Sequence, residues 1–343
     1  MIEPYLRKVV AGEDLNELEA ETAMTAIMAG QVGEVLIAAY LTALHVKGES
    51  VAEIVGSARA MRRAATRVGT RHPLVVDTCG TGGDGRGTFN ISTTAAFVVA
   101  AAGLPVAKHG NRSVSSRAGS ADVLEALGAR LDLDAERVGS CLDTLGIGFL
   151  FAPRLHSAMK HAAPVRRALG FRTIFNILGP LTNPAGAAAQ VVGVYDARLV
   201  PLVADVLNGL GTRRALVVHS DDGLDEISIS APTLVCEADG AEVRSYRLRP
   251  EDFGLRRAPL SAIAGGDAAD NAAIAREVLS GKAGPARDVV LLNAGAALYA
   301  GGRAASIADG VRLAAEAIDS GAARRMLERF VAFTHQVAEE AAG

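Results

Sequence analysis

Tryptophan is absent from the 343 residues, and all aromatic side chains together make up 4%. Stacking platforms for nucleic-acid bases therefore cannot dominate the function. An excess of one charge is missing too. Lys+Arg 35 against Asp+Glu 38 leaves a net charge of −3, which excludes a generic electrostatic hold on nucleic acid. The three cysteines, Cys79, Cys141 and Cys236, are far apart without C-x-x-C spacing. That fits neither a disulfide framework nor a zinc site and predicts a reducing compartment. The longest near-apolar stretch, residues 95–107, is too short to span a bilayer and is broken by Gly103 and Pro105. Glu3, Arg7, Lys8, Glu13 and Asp14 leave no signal-peptide core at the start. These absences predict a soluble, cytoplasmic protein with neither membrane nor nucleic acid as partner.

Half the residues are hydrophobic, enough for a sizeable core, and the length exceeds the ~150 residues typical of one domain. Residues 1–68 read as helices only. Asp14 with Glu17 and Ser50 with Glu53 have capping-box spacing, each ahead of an apolar stripe of helical period. Gly30 and Gly48 stand where helices should end. From Pro73 the pattern changes. Short apolar runs at 74–76, around Val106, and at 147–151, 190–195 and 215–218 are separated by helical stretches. This predicts an α/β fold: a small all-helical domain plus a large, mostly parallel α/β domain. Residues 242–248 alternate like an edge strand, and helices return from about 268. The segment 153–184 fits the alternation badly and reads as an excursion back to the helical domain. The expected division is therefore 1–68 with a second piece at about 153–184, against 73–152 with 185–343.

Four motifs could carry chemistry. Between Cys79 and Thr94, glycines fall at 80, 82, 83, 85 and 87, after a strand and before a helix. Such a loop lets the backbone approach a phosphate at the helix N-terminus. Gly80, Gly82 and Gly85 satisfy G-x-G-x-x-G, but the next strand closes in Lys108-His109 rather than the acid a nicotinamide ribose needs. There is no Walker A motif either. The run K-H-G-N-R-S-V-S-S from Lys108, closing at Ser120, offers a second anion cradle at a strand end. Two adjacent cradles suggest a ligand phosphorylated at both ends. Asp225 and Glu226, at the start of an apparent strand, are hard oxygen ligands suited to Mg2+, although such a pair in a loop is usually solvated surface. Arg166 could hold a carboxylate bidentately, although spacing alone favours an exposed helix arginine.

Taken together these motifs resemble the anthranilate phosphoribosyltransferases. The matching pieces are G-T-G-G-D from Gly80, N-I-S-T from Asn90, K-H-G-N-R-S-V-S-S from Lys108, G-S-A-D-V-L-E-A-L-G from Gly119, R-T-I-F-N-I-L-G-P-L-T-N-P from Arg172 and D-G-L-D-E-I-S from Asp222. The resemblance implies the nucleoside phosphorylase/phosphoribosyltransferase fold of that family, in a homodimer. It also implies transfer of the phosphoribosyl group of phosphoribosyl pyrophosphate (PRPP) to the amine of anthranilate, in tryptophan biosynthesis. On this resemblance Gly80, Gly83, Asp84, Thr88, Asn90, Ile91, Ser92 and Thr93 would hold pyrophosphate and ribose. Lys108, His109, Gly110, Asn111 and Arg112, with Ser113, Val114, Ser115, Ser116 and Ser120, would complete the PRPP site. Gly80, Asn111 and Arg166 would contact anthranilate, while His109 would line its entry or take the released proton. Ser92, Asp225 and Glu226 would hold Mg2+, two ions per subunit. A pyrimidine nucleoside phosphorylase would be a longer chain with an extra C-terminal domain, lacking the H-G-N run. A non-catalytic nucleic-acid-binding relative would want a basic groove and degraded carboxylates.

Overall fold

A computed structural model describes residues 2–113 and 117–339. Four helices come first: α1 (Glu3–Val10), α2 (Glu17–Met28), α3 (Glu34–Lys47) and α4 (Val51–Ala64). The cap expected at Asp14 lies two residues later, where Asn16 and Glu19 form the capping box. Leu15 explains the shift: it is buried, and its N–H donates to Glu53, so the chain stays extended through it. Ser50 and Glu53 cap α4 as their spacing predicts, each such cap being worth about 1 kcal/mol.

The sheet has seven strands: β1 (Val76–Asp77), β2 (Val106–Gly110), β3 (Ile147–Phe151), β4 (Ala189–Gly193), β5 (Arg214–Ser220), β6 (Thr233–Ala238) and β7 (Val243–Leu248). Their order is β3-β2-β1-β4-β5-β6-β7. The first five run parallel, and β6 and β7 are antiparallel additions. β6 is an unforeseen strand, because T-L-V-C-E-A carries no clean alternation. The connections run in opposite directions from the β1/β4 pair, which makes their carboxyl ends a topological switch point where open sheets take ligands.

Helices α5 (Ile91–Ala101), α6 (Ser120–Ala126) and α7 (Ala135–Leu145) serve the first three strands. After β3 the chain leaves the sheet through α8 (Ala152–Leu155), α9 (Ala163–Leu169) and α10 (Phe175–Leu178). It returns for α11 (Leu199–Gly209), and α12 (Ala268–Leu279), α13 (Pro285–Ala300), α14 (Ile307–Asp319) and α15 (Ala322–Glu339) close the chain. One apolar core joins α5, α13, α14 and α15 to one sheet face. A second unites α2, α3 and α4 with Val165, Phe175, Ile177 and Leu178 of the excursion, and continues through α11 to Val192, Val217 and Cys236 of the sheet. Among the described residues no helix is long and apolar enough to cross a membrane.

Candidate active site

Four loops meet at the switch point. The first leaves β1 and reaches α5 through Gly82, Gly83, Gly85 and Gly87, all at φ between +65° and +78°. Only glycine takes that conformation without strain. Both flanks of the loop are pinned. Thr81 donates its N–H to the Gly193 carbonyl at 2.8 Å, and its hydroxyl accepts from Tyr195 N–H at 3.1 Å. On the other flank Gly265 N–H donates to the Gly87 carbonyl and Thr88 bridges Ala264. The Asn90 amide accepts from Asn271 of α12 at 2.9 Å and donates to the Ala118 carbonyl. No motif pointed to Asn271.

The second loop follows β5 and carries Asp225 and Glu226. It is not the strand that its sequence suggests, because a web of side chains holds it irregular. The Asp222 carboxylate accepts from Ser228 Oγ at 2.6 Å, Ser230 Oγ at 2.5 Å and the Leu224 N–H. Asn293 of α13 accepts from Ile227 N–H and donates back to the Ile227 carbonyl, both at 3.0 Å. This second missed residue left one signal, a lone amide within an apolar helix. Gly193 at the end of β4 sits under the loop, where a Cβ would lie 1.5 Å from the Asp225 carbonyl oxygen.

These loops bring acids together. Asp84 accepts from the Asp225 N–H, and Glu226 accepts from Ser92 N–H at 3.1 Å, at the N-terminus of α5. Burial, with Asp84 and Glu226 beside it, pushes the Asp225 carboxyl well above its usual range. Burial also raises Glu226 to about 7, against the opposing pull of Lys108 and Ser92. Lys108 is itself buried, donating to the Thr78 carbonyl at 3.0 Å and lying 3.4 Å from Ser92 Oγ. Its charge thus serves the acids as well as the expected cradle. The carboxylates of Asp84, Asp225 and Glu226 are hard oxygen donors, and crowding them together fits a divalent cation such as Mg2+ between them. Among the described residues the tightest grouping of metal-ligand types lies deeper, at Asp77, Cys79 and His109. There Asp77 is already committed to His109 N–H and to Asn183 Nδ2 at 2.7 Å.

The loop after β2 turns on Ser120, whose hydroxyl accepts from the Asn111 N–H and donates to the Asn111 carbonyl. Arg112, expected in the anion cradle, is already paired. Its guanidinium forks onto Glu125 at 2.6 and 2.7 Å and also reaches Asp122 of α6 at 3.0 Å. Those acids lie one helical turn apart, so α6 presents both to it. Ser113 donates its N–H to Asp122, while Val114, Ser115 and Ser116 lie outside the described residues. Gly110 packs against Ser120 and Phe149 with no room for a side chain.

The excursion supplies the remaining wall. His156 Nε2 lies 3.1 Å from His109 Nε2, and both rings are buried. Burial holds His109 down to about 3, assisted by His156, and His156 down to about 4. Arg166 on α9 is half-buried over the Phe175 ring, 5.4 Å from its centroid. It has no carboxylate partner among the described residues, and burial lowers its affinity for its proton. A half-buried, unpaired guanidinium attracts an external carboxylate.

The comparisons with known proteins agree on the fold. Residues 72–324 match the family model described as "Glycosyl transferase family, a/b domain", and residues 3–65 match its helical bundle domain. An anthranilate phosphoribosyltransferase of Symbiobacterium thermophilum is 60% identical over 98% of this chain and 99% of the relative. The crystal structure of the Thermus thermophilus anthranilate phosphoribosyltransferase superposes with a TM-score of 0.92 at 50% identity, over 96% of this chain and 99% of that one. That of Saccharomyces cerevisiae, in complex with PRPP and Mg, does so at 0.89 and 30% identity, over 98% of both chains.

Proposed function

The chain belongs to the glycosyl transferase family, among its anthranilate phosphoribosyltransferases, and from that premise we propose how its residues divide the work. The reaction moves the phosphoribosyl group of PRPP onto anthranilate, giving N-(5-phosphoribosyl)anthranilate and pyrophosphate in tryptophan biosynthesis. A bond forms from the amine nitrogen to ribose C1 while the bond from C1 to the pyrophosphate oxygen breaks. The electron pair leaves with pyrophosphate, and the amine gives up one proton.

One observation carries the reading: the half-buried acids Asp84, Asp225 and Glu226 gather at an anion-binding helix start. Carboxylates beside a pyrophosphate site make sense only with cations between them. Ser92, Asp225 and Glu226 would hold Mg2+, shared between two ions per subunit. When bound, Mg2+ offsets the charge of the departing pyrophosphate. The protein supplies the rest. Gly80, Gly83, Asp84, Thr88 and the start of α5 from Asn90 to Thr93 hold pyrophosphate and ribose, with Asn90 kept in place by Asn271. Lys108 to Ser116 and Ser120 complete the donor site.

Gly80, Asn111 and Arg166 receive anthranilate, and the Arg166 fork orients its carboxylate so that the amine faces C1. That amine is neutral near pH 7 and needs no strong base. His109, whose imidazole is held at about 3, suits the lining of this entry better than proton capture. The helical unit is 1–68 with 153–184, since both contribute to one core. Exposed Val10, Leu18, Val35 and Val46 on its helices support a homodimer, and three unpaired cysteines support a cytoplasmic setting.

Loss of anthranilate fluorescence on adding PRPP and Mg2+ tests the activity. Arg166→Ala then tests the acceptor assignment. Losing a charge-assisted hydrogen bond costs about 1.5–3 kcal/mol, so the KM for anthranilate should rise roughly ten- to a hundredfold while that for PRPP stays put. Equal changes in both would place Arg166 outside the acceptor site.

A further inference from the structure

Arg172 bridges regions that are distant in sequence, and its motif alone suggested no role. Its guanidinium donates to the Gly83 carbonyl at 2.6 Å, and its central carbon lies 3.7 Å from the centroid of the Tyr195 ring. Tyr195 follows β4, and its backbone N–H donates to the hydroxyl of Thr81, two residues before Gly83 in the same loop. The neighbouring Phe171 ring lies 5.0 Å from His45 of α3, so the strand of chain bearing Arg172 is also tied to the helical bundle. Gly170, at φ +67°, turns the chain between α9 and this contact.

The consequence is geometric. Gly82 and Gly83 have the freest backbone at the site, and glycines hold one conformation only when something outside them fixes it. A guanidinium stacked on an aromatic ring is restrained in its plane, so its N–H is aimed rather than merely near. With the Gly83 carbonyl fixed by that N–H, the peptide planes beside it are fixed too, including the amide N–H groups that the donor phosphates would use.

We propose that Arg172 is a positioning residue for the PRPP loop, acting through the Gly83 carbonyl with Tyr195 as its backstop, an inference that rests on the donor-site reading above. Arg172 does not touch the reacting atoms. It removes freedom from the loop before PRPP arrives, so its loss falls on donor affinity and spares the chemical step.

The test measures PRPP binding in Mg2+ by calorimetry without anthranilate, together with both KM values and kcat. Variants are Arg172→Ala, Arg172→Lys, Tyr195→Leu and Tyr195→Phe. Arg172→Ala should weaken PRPP about tenfold, with kcat within about threefold and anthranilate KM within about twofold. Tyr195→Leu should weaken PRPP in the same direction, Tyr195→Phe, which keeps the ring but loses the hydroxyl contact with Arg172, should weaken it less than Tyr195→Leu, and Arg172→Lys should fall between wild type and Arg172→Ala. Unchanged PRPP affinity in Arg172→Ala, or parallel losses in both KM values, would overturn the positioning role. Wild-type protein that binds no PRPP would instead sink the donor-site reading itself.

Discussion

Two loops converge at the β1/β4 switch point, and they are built on opposite principles. The loop after β1 is rich in glycine, exposed, and held by backbone contacts at its flanks and by Arg172 at its centre. The loop after β5 is caged by side chains, with Asp222 gathering two serine hydroxyls and Asn293 gripping Ile227 from beneath. The difference follows from what each must present. On the proposed reading the first loop offers backbone N–H groups to phosphate, which they reach only where no Cβ intervenes, so it gives up side chains and with them rigidity. Buried carboxylates repel one another, so the second must be held by force of packing and hydrogen bonds.

The largest expected effect comes from removing what the caged loop presents. Asp225→Asn with Glu226→Gln keeps size but removes both charges. Electrostatic stabilisers of this kind contribute roughly 2.7–4 kcal/mol, so kcat should fall about a hundredfold or more, partly rescued by high Mg2+. Superimposable Mg2+ titrations of wild type and double mutant would reduce the pair to a charged turn.

Breaking the cage itself comes next. Asp222→Ala strands the Ser228 and Ser230 hydroxyls, at roughly 1.5–3 kcal/mol for a lost bond to a charged group. Both kcat and Tm should drop. Gly82→Ala makes the contrasting change: a residue at φ +65° with open space around its Cβ position meets backbone strain alone, about 1–2 kcal/mol. It should raise the PRPP KM about five- to thirtyfold with Tm nearly unchanged. If calorimetry gave both variants the same Tm loss, the two loops would not differ in kind.

The smallest effect concerns the wall behind them. His109 and His156 are buried and neutral when folded, whereas an unfolded imidazole takes a proton near pH 6.5. Their contribution is complete above about pH 6.5 and is lost progressively as pH falls toward 4. At pH 5 the loss amounts to about 2 kcal/mol per ring. His156→Asn should therefore flatten the fall in Tm between pH 7 and pH 5, and an unchanged slope would count against the buried pair.

The sequence revealed whatever depends on local pattern. The Ser50–Glu53 cap, β3 and the β7 edge strand stand where periodicity and spacing put them. β6 escaped because its burial comes from pairing with β5, a contact that no local alternation records. The glycine loop and the acid pair stand out in the sequence because they are the residue types that phosphate and Mg2+ would demand, and the fold brings them together at the switch point. Asn271, Asn293 and the clamp by Arg172 do not stand out, since each acts on a residue some 66 to 181 positions away. The pairing of Arg112 with Asp122 and Glu125 shows the same limit, because only the fold turns α6 toward it.

The second apolar core has a consequence for how the chain is made. Its members begin at Ile2 and end at Cys236. The helices α1 to α4 leave the ribosome before the elements that cover them, and α2 and α4 can pair at once. Their outer faces cannot be covered until the excursion, α11 and β5 to β6 have been synthesised. At roughly 5–20 residues per second, that wait is on the order of ten to thirty seconds. For that interval the nascent α1–α4 segment carries uncovered Ile, Leu and Val surface, so it calls for a chaperone until Cys236 has been made.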